Sequence, residues 1–282
     1  MTRIAVTGAS GFLGRHVLAA LANRDVEVVA HGHTRPPDHA AALGVRWIPF
    51  DLAAVPEDAF ARLGQPDVVI HLAWGGLPNY LSTRHLDVEL PVQVKFLRGL
   101  VTGGLRRLVV AGTCFEYGMR EGCLSEDTPA EPATCYGRAK DALRRQLEDL
   151  NQTTPFDLRW LRLFYLYGDG QPATSLYSQF RAALGRGDKT FNMSKGDQLR
   201  DFMRVEEAAA AIVAAALAAK APRVLNVCSG TPVSVRELVE KWRNEMAADI
   251  ELKLGALARP AYEPFALWGD SRQLSALLES TA

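Results

Sequence analysis

A tyrosine and a lysine separated by three residues have the types and the spacing to transfer a proton. Tyr136 and Lys140 fall in a segment with a helical pattern, and residues four apart lie on the same face of a helix. An ammonium beside a phenol stabilises the phenolate and lowers the pKa of the tyrosine from ~10 toward neutrality. The pair therefore predicts general acid/base chemistry by Tyr136.

Thr113 is a third side chain expected at the same place. It follows the apolar run Arg107–Ala111 by two residues, at the predicted end of a strand. Ligands of parallel α/β sheets bind at the carboxyl ends of the strands. We therefore expect the Thr113 hydroxyl to hydrogen-bond a substrate carbonyl there.

The segment Thr7–Gly14 follows the first apolar run and opens a helical pattern. Its glycines permit, in order, a tight turn, close approach of the backbone to a pyrophosphate, and close packing of helix on strand. A helix that begins here presents free N–H groups and the positive end of its dipole to phosphates. The segment predicts a nucleotide-binding loop whose cofactor contacts are Gly8, Ser10, Gly11, Phe12, Leu13 and Gly14.

The end of the second apolar run discriminates between two dinucleotides. An acid there bonds the ribose 2′-hydroxyl and selects NAD, whereas a nearby arginine suits the 2′-phosphate of NADP. Here the run ends in His31-Gly32-His33-Thr34-Arg35, and the next acid is Asp38. We expect Arg35, helped by Arg15, to hold a 2′-phosphate, so NADP(H) is the preferred cofactor and NAD(H) the alternative. Asp51-Leu52, after the third run, is expected at the adenine.

Short β-rich apolar runs alternate with helical patterns through the first two thirds of the chain. Uninterrupted runs such as Val68-Val69-Ile70 suit strands that are buried on both faces. The alternation predicts an α/β fold with a doubly wound parallel Rossmann sheet. The predicted strands are Arg3–Thr7, Val26–Ala30, Arg46–Phe50, Val68–Leu72, Arg107–Ala111 and Leu158–Phe164, and the predicted helices are Phe12–Ala22, Glu57–Leu63, Leu90–Gly99 and Tyr136–Leu150.

The regular alternation of strands and helices ends at about residue 168. Beyond it fewer elements are predicted, and they are separated by stretches rich in glycine, proline and charged residues. The sequence predicts a Rossmann domain over residues 1–168 and a smaller C-terminal substrate-binding lobe over residues 169–282, with some chain crossing back. The elements predicted in this part are the helices Ser175–Leu184, Glu206–Ala219 and Val235–Met246 and the strand Val224–Cys228.

Composition excludes several classes of protein. The 282 residues include 32 basic and 32 acidic side chains, without the basic excess typical of proteins that bind nucleic acid. The four cysteines have neither metal-ligand spacing nor the setting of a disulfide framework, so we expect free thiols and no metal. The start lacks a signal-peptide core, and the longest apolar run, Ala208–Ala219, is shorter than the ~20 residues of a membrane span. We expect a cytoplasmic protein that does not enter a membrane.

Taken in order, these motifs resemble the extended short-chain dehydrogenase/reductase superfamily, in its NAD-dependent epimerase/dehydratase branch. Members of this branch act on nucleotide sugars, so the resemblance implies a nucleotide-diphosphate sugar as partner and cofactor contacts at Leu72 and Ala73. The ordered set covers essentially the whole chain. It comprises the Gly-rich segment, His71-Leu72-Ala73, Thr113, Tyr117-Gly118, Tyr136 with Lys140, Arg162-Leu163-Phe164-x-x-Tyr167-Gly168, Arg200-Asp201-Phe202, and Arg259 ahead of Asp270.

The resemblance also implies a role for each site residue. Tyr136 would be the catalytic acid or base, and the catalytic Lys140 would also hold the nicotinamide ribose. Thr113 would be a catalytic residue that polarises the sugar carbonyl. Arg200 and Arg259 would bind the diphosphate of the nucleotide sugar.

Departures from the family pattern narrow the reaction. The 4,6-dehydratases of this family carry an Asp-Glu pair directly after the catalytic threonine, for proton transfers at C6 and C5. Here these positions are Cys114 and Phe115, which cannot supply carboxyl chemistry, so dehydration is not expected. Two positions where asparagine is common are Asp87 and Tyr165, which changes the substrate side and leaves the identity of the sugar open.

Reduction at a sugar carbon is the chemistry that these features favour. An NADP preference fits net reduction, because cells keep that pool reduced. The segments Phe115-Glu116-Tyr117-Gly118 and Trp268-Gly269-Asp270 look most like bacterial deoxysugar-pathway proteins. The sequence therefore predicts NADPH-dependent reduction of the C4 keto group of a nucleotide-linked 4-keto-6-deoxyhexose.

Two alternatives belong to other classes of function. One is a nucleotide-sugar 4-epimerase with tightly bound NAD. The other is a non-catalytic NADP-binding sensor or scaffold, against which the retained Thr113, Tyr136 and Lys140 argue. The helices Leu90–Gly99 and Tyr136–Leu150 often form a dimer interface in proteins of this family, so we also expect a homodimer.

Overall fold

The computed structural model describes residues 1–281 and is built on a seven-stranded sheet. Two smaller sheets contain the remaining strands. In chain order the strands are β1 (Thr2–Thr7), β2 (Val26–Gly32), β3 (Arg46–Pro49), β4 (Val68–His71), β5 (Arg107–Thr113), β6 (Gly122–Leu124), β7 (Asp157–Leu163), β8 (Tyr165–Tyr167), β9 (Thr190–Asn192), β10 (Leu199–Arg204), β11 (Val224–Val227), β12 (Pro232–Ser234), β13 (Glu251–Lys253) and β14 (Ala266–Gly269).

The helices alternate with the strands of the large sheet. They are α1 (Phe12–Leu21), α2 (Asp38–Ala42), α3 (Ala59–Arg62), α4 (Leu90–Thr102), α5 (Cys135–Thr153), α6 (Leu176–Arg186), α7 (Val205–Leu217), α8 (Val235–Glu245) and α9 (Arg272–Thr281). Single-turn segments lie at Leu52–Ala54 and Cys114–Tyr117, and a π-helical turn at His85–Glu89 leads into α4. The predicted strands and helices are present, with ends that differ by a few residues.

The large sheet has the order β11-β7-β5-β4-β1-β2-β3, and each neighbouring pair runs parallel. The doubly wound Rossmann fold predicted from the sequence is therefore confirmed. From β1 the chain builds one half of the sheet toward β3 and the other half from β4 outward. The strand order reverses between β1 and β4, and the crevice at that switch point is where such sheets bind ligands.

Apolar side chains of the sheet bury both of its faces. On one face α1 and α7 pack together, and the alanines that make up much of α7 let the two helices approach closely. On the other face α4 and α5 cover the sheet with Phe96, Leu97, Leu143 and Leu147. The continuous apolar runs of β4 and β5 follow from this burial on both faces.

The chain returns to the large sheet after residue 168. β11 pairs with β7, while α7 and α9 pack on the sheet, so the smaller lobe consists of separated segments. Its main sheet has the order β12-β10-β14-β6, with β8 beside β10, and β6 comes from the first half of the chain. The buried carboxylate of Asp201 joins the segments by accepting hydrogen bonds from the amides of Ser229, Gly230 and Gly269.

Candidate active site

The Gly-rich loop lies at the switch point between the carboxyl ends of β1 and β4. Gly8 has a φ of 72°, and a Cβ on it would lie 2.6 Å from the backbone nitrogen of Ala73. A Cβ on Gly14, in the first turn of α1, would overlap the carbonyl oxygen of Gly8. Both contacts exclude larger residues, so the backbone itself forms the surface that faces the crevice.

The end of β2 presents no carboxylate in the position that selects NAD. Gly32 lies against Trp47, and a Cβ on it would overlap the indole ring. Beyond it, His33 Nδ1 lies 3.6 Å from Asp51 Oδ1, and Arg35 is exposed. His33 and Asp51 therefore lie beside the end of β2, and both line a cavity there.

A cavity of about 380 Å³ opens along this end of the sheet. Its lining includes His31 and Gln93, whose Nδ1 and Oε1 atoms are buried and have no hydrogen-bond partner among residues 1–281. An adenosine carries the donors and acceptors that such atoms need, so the residues present fit an adenine dinucleotide. Among the predicted cofactor residues, those that line the cavity are Gly8, Ser10, Gly11, Asp51, Leu52, Leu72 and Ala73.

The other predicted cofactor residues lie around the cavity. Phe12, Leu13 and Gly14 form the first turn of α1, directly behind the loop. Arg15 packs against Gly170, and its buried Nε has no hydrogen-bond partner among the described residues.

Thr113 and Tyr136 meet at the carboxyl edge of the sheet. Thr113 ends β5, and Tyr136 lies in the first turn of α5, whose N-terminus Thr134 caps by accepting a hydrogen bond from the Gly137 amide at 3.0 Å. Gly137 lets this turn approach the loop after β5, because a Cβ on it would lie 2.5 Å from the Phe115 carbonyl oxygen. This packing brings the Tyr136 phenol near the Thr113 side chain, which acts to lower the pKa of the phenol.

Lys140 follows one turn later on α5 and is buried. Its Nζ donates a hydrogen bond to the Ala111 carbonyl oxygen at 2.8 Å and lies 4.0 Å from the centroid of the Trp74 ring. The same atom is 5.9 Å from the centroid of the Tyr136 ring. Burial lowers the pKa of Lys140 to about 7, because desolvation disfavours the ammonium.

Burial also raises the pKa of Tyr136 above its usual value. The electrostatic influence of Tyr80 and Glu116 acts in the same direction, while the hydrogen bond with Thr113 lowers the pKa. The prediction that Lys140 brings this pKa toward neutrality is therefore wrong for the protein alone. Desolvation of a phenolate at a site that is 8% exposed outweighs an ammonium that faces Ala111.

Four rings enclose Tyr136, and we call them the aromatic wall. The centroids of His85, Tyr80, Trp74 and Phe115 lie 5.3, 5.6, 6.0 and 6.2 Å from that of Tyr136. The first three belong to the irregular segment between β4 and α4, where no sequence pattern marked them as site residues. The wall surrounds the Tyr136 phenol largely with aromatic rings.

The two arginines predicted to bind the diphosphate lie in different environments. Arg200 is buried, and its Nε and Nη2 donate hydrogen bonds to Glu263 Oε2 at 3.2 and 3.0 Å. The Tyr165 hydroxyl donates to the same oxygen at 3.3 Å. Arg259 is exposed, with its guanidinium 5.2 Å from the centroid of the Phe265 ring. Arg200 thus binds a carboxylate of its own chain, whereas Arg259 faces solvent.

Cys114 and Phe115 stand where the dehydratases have acids. Their surroundings support the expectation that this chain does not catalyse dehydration. Cys114 is buried, and desolvation raises the pKa of its thiol, so it is held as a neutral thiol. Phe115 belongs to the aromatic wall. Asp87 is exposed in the π-helical turn, and Tyr165 contributes a ring that lies 6.4 Å from that of Phe115.

Residues 1–281 contain neither a metal-binding cluster nor a membrane-spanning helix. In that range no three His, Cys, Asp or Glu side chains lie together in a way that could hold a metal ion. No helix of the same range combines the length and the apolar character needed to cross a membrane.

A Gly-rich loop at the switch point, with a Thr, Tyr and Lys constellation beside it, defines an NAD(P)-dependent oxidoreductase of the extended short-chain dehydrogenase/reductase type. The chain belongs to the NAD dependent epimerase/dehydratase family, whose model matches residues 4–228. The family predicted from the sequence is therefore confirmed, as is the prediction that the protein is an enzyme.

Several proteins that this chain resembles are named for nucleotide sugars. It is 30% identical over 268 residues to a dTDP-6-deoxy-L-talose 4-dehydrogenase (NAD(+)) of Aggregatibacter actinomycetemcomitans, covering 94% of this chain and 98% of the relative. It is 29% identical over 261 residues to a dTDP-6-deoxy-L-talose 4-dehydrogenase (NAD(P)(+)) of Kitasatospora kifunensis, covering 89% and 81%. A solved UDP-glucuronic acid 4-epimerase of Bacillus cereus, in complex with UDP-glucuronic acid and NAD, has a TM-score of 0.84 and 22% identity, covering 99% and 93%. At 22% identity, the similarity to this structure shows only that the two proteins share a fold.

Proposed function

We propose that this chain reduces the C4 keto group of a nucleotide-linked 4-keto-6-deoxyhexose with NADPH. The observation that carries the proposal is the packing of the first turn of α5, which contains Tyr136, against the loop that follows Thr113 at the sheet edge. Oxidation of the corresponding 4-hydroxy sugar is the reverse of the same reaction. Two relatives named as 6-deoxytalose 4-dehydrogenases support chemistry at this carbon.

The two hydroxyl groups have complementary roles in this reaction. The Phe115 amide donates a hydrogen bond to Thr113 Oγ1 at 3.2 Å, which leaves the hydroxyl proton of Thr113 to donate to the substrate carbonyl. The raised pKa of Tyr136 keeps its phenol protonated near pH 7, which is the form that can donate a proton. When bound, the reduced nicotinamide supplies the hydride that C4 accepts. Tyr136 then delivers its proton to the C4 oxygen, and the ketone becomes an alcohol.

The remaining site residues bind rather than react. Lys140, at the carboxyl edge of the sheet, is proposed to hold the nicotinamide ribose. Arg259 is free to meet the diphosphate of the nucleotide sugar. Arg200 is proposed to contact the same diphosphate, which requires the phosphate oxygens to replace Glu263 as its partner.

The aromatic wall supports a 6-deoxy sugar as the substrate. Phe115 occupies the position where a dehydratase has a carboxylate, and its ring is stacked 4.7 Å from that of Tyr80. An apolar surface at this place suits a methyl group at C5, whereas a hydroxymethyl or carboxylate group would lose hydrogen bonds to water there.

NADP(H) is the proposed cofactor, with NAD(H) as the alternative. The chain carries no acid between the end of β2 and Asp38, and Arg35 and Arg15 could contribute positive charge for a 2′-phosphate. Of the two 4-dehydrogenase relatives, one is named for NAD(+) and the other for NAD(P)(+).

The proposal is tested by mixing purified protein, NADPH and 4-keto-6-deoxyhexoses linked to dTDP, GDP, CDP or UDP. The expected result is stoichiometric loss of the absorbance of the reduced nicotinamide with at least one of these substrates. Tyr136→Phe is the control, which should abolish turnover and leave cofactor binding intact. Activity that survives this change would refute the assignment of the acid.

A nucleotide-sugar 4-epimerase is the alternative, because it would use the same Thr, Tyr and Lys. An epimerase would retain NAD through purification and interconvert two 4-hydroxy sugars without net consumption of cofactor. Retained NAD together with no NADPH loss on any of the four substrates would favour the epimerase. A non-catalytic sensor would bind the cofactor and do neither.

A further inference from the structure

Glu116 is a fully buried carboxylate to which the chemistry above gives no role. It lies three residues after Thr113, in the single turn that follows β5. A carboxylate out of contact with water is costly unless charged or polar partners surround it. The groups that donate hydrogen bonds to the Glu116 carboxylate therefore show what stabilises it in the protein interior.

Four hydrogen bonds satisfy the Glu116 carboxylate. Oε1 accepts from the Thr113 amide at 2.9 Å and from Trp160 Nε1 at 2.9 Å. Oε2 accepts from Arg162 Nε at 2.9 Å and from the same Trp160 Nε1 at 3.1 Å. Trp160 and Arg162 both lie on β7, the neighbour of β5 in the sheet. Glu116 thus attaches the end of β5 to β7 through side chains, at the point where the two strands reach the active site.

The side chains of Trp160 and Glu116 pack closely against the end of β5 and leave no space for them to move. A Cβ on Gly112 would overlap Trp160 Nε1 and would lie 2.8 Å from Glu116 Oε1. Arg162 is fixed in turn, since its guanidinium stacks 4.4 Å from the centroid of the Tyr117 ring and Nη1 donates to the Glu126 carbonyl at 3.3 Å. The carboxylate therefore holds a set position relative to β7.

Thr113 is held at both of its polar ends by this arrangement. Its amide is bound by Glu116, while its hydroxyl oxygen accepts the Phe115 amide within the same turn. A buried ion pair adds little to the free energy of unfolding compared with apolar packing, so stability alone does not account for Glu116 and Arg162. Their contacts instead converge on Thr113, whose amide and hydroxyl oxygen are both bound.

We propose that Glu116 is a positioning residue for Thr113: held by Arg162 and Trp160, its carboxylate fixes the Thr113 amide and so aims the hydroxyl at the substrate carbonyl. The inference rests on the proposed function, in which that hydroxyl binds the C4 carbonyl. Misplacement of a catalytic group by about 1 Å can lower a rate ~100-fold. Loss of the carboxylate is thus expected to act on kcat more than on cofactor affinity.

The test is a double-mutant cycle of Glu116→Gln and Thr113→Ala, measured as kcat for 4-keto sugar reduction. Glu116→Gln keeps the size of the side chain but gives it an amide that would face the donors Arg162 and Trp160. We expect it to lower kcat about 10- to 100-fold in the wild type and about 2-fold or less in the Thr113→Ala protein, with the Kd for NADPH unchanged in both. Glu240→Gln, at an exposed pair with Arg236 on α8, is the matched control and should leave kcat unchanged.

The possible outcomes distinguish failure of the positioning role of Glu116 from failure of the proposed function. Equal losses from Glu116→Gln in both backgrounds, or no loss in the wild type, would overturn the positioning role and leave the proposed function standing. No loss from Thr113→Ala would overturn the proposed role of Thr113 itself. If Glu116→Gln does not fold, Trp160→Phe, which removes one donor and keeps the ion pair, replaces it in the cycle with the same criteria.

Discussion

Lys140 carries a charge whose presence depends on pH. Burial lowers its pKa to about 7, so the ammonium is present below that pH and lost above it. If the charge is needed at the nicotinamide ribose, kcat/KM for NADPH falls as the pH rises through 7, by about tenfold per pH unit beyond it. This parameter reports ionisations of the free enzyme.

Lys140→Arg is the variant that checks this prediction. Arginine stays protonated throughout the accessible range, so the fall in kcat/KM above pH 7 should disappear, even if the maximum is lower. The same alkaline fall in the variant would assign it to another group.

Arg35 is the second side chain whose charge can be tested by itself. A hydrogen bond to a charged group contributes about 1.5–3 kcal/mol, so Arg35→Ala should lower kcat/KM for NADPH by about tenfold or more and leave the value for NADH unchanged. Arg24→Ala, at an exposed position in the turn after α1, is the matched control. Equal losses with both cofactors would argue against a contact between Arg35 and the 2′-phosphate.

The loop between β1 and α1 is the element on which cofactor binding depends. Gly8 adopts a left-handed conformation and lies against the backbone of Ala73. Gly8→Ala should therefore shift the loop and weaken NADPH binding by about tenfold or more, because the strained conformation and the overlap each cost on the order of 1 kcal/mol. Isothermal titration with NADPH measures the change.

Gly99 provides the control for this prediction. It lies in α4, and among the described residues no atom is within 4 Å of a Cβ built on it. Gly99→Ala should keep NADPH affinity unchanged and stabilise the helix by up to about 1 kcal/mol. Equal affinity in the two variants would show that the conformation of Gly8 is not required.

Two buried histidines link the stability of the whole molecule to pH. His71 is buried on β4 and shares a hydrogen bond of 2.8 Å between its Nδ1 and Thr7 Oγ1. Burial lowers the pKa of His71 to about 3, with smaller contributions from Lys140 and His31, and lowers that of His31 to about 4. Below pH 6.5 the unfolded chain binds protons that the folded chain does not, so stability falls as the pH falls.

The contribution of His71 can be separated by substitution. Between pH 7 and pH 5 its share of the loss is about 2 kcal/mol, so His71→Asn should reduce the difference in unfolding free energy between these pH values by that amount. Urea denaturation at both pH values measures it. His33→Asn is the control, because the ring of His33 is largely exposed. If both variants reduced the pH dependence of the unfolding free energy equally, burial of His71 would not explain that dependence.

The homodimer stays a prediction for the whole molecule. The outer surfaces of α4 and α5 carry Lys95, Arg98, Arg138 and Arg145 as exposed side chains. Light scattering at several protein concentrations would measure the mass directly.

The sequence by itself determined the class of fold and most of the chemistry. The short uninterrupted apolar runs and the glycines of residues 8–14 depend on local backbone geometry, which the order of residues already contains. The same is true of the spacing between Tyr136 and Lys140. The positions of the strands, the cofactor loop and the Thr, Tyr and Lys set were therefore predictable.

Only the tertiary structure decided how these groups behave. The pKa of Tyr136 depends on burial among rings from the irregular segment between β4 and α4, and no pattern predicts which rings meet there. The carboxylate that binds Arg200 belongs to Glu263, and two of the three donors to Glu116 lie on β7; both are distant in sequence. Desolvation and long-range pairing are properties of the packed molecule, so the sequence could name candidate site residues but not the protonation and orientation that the fold gives them.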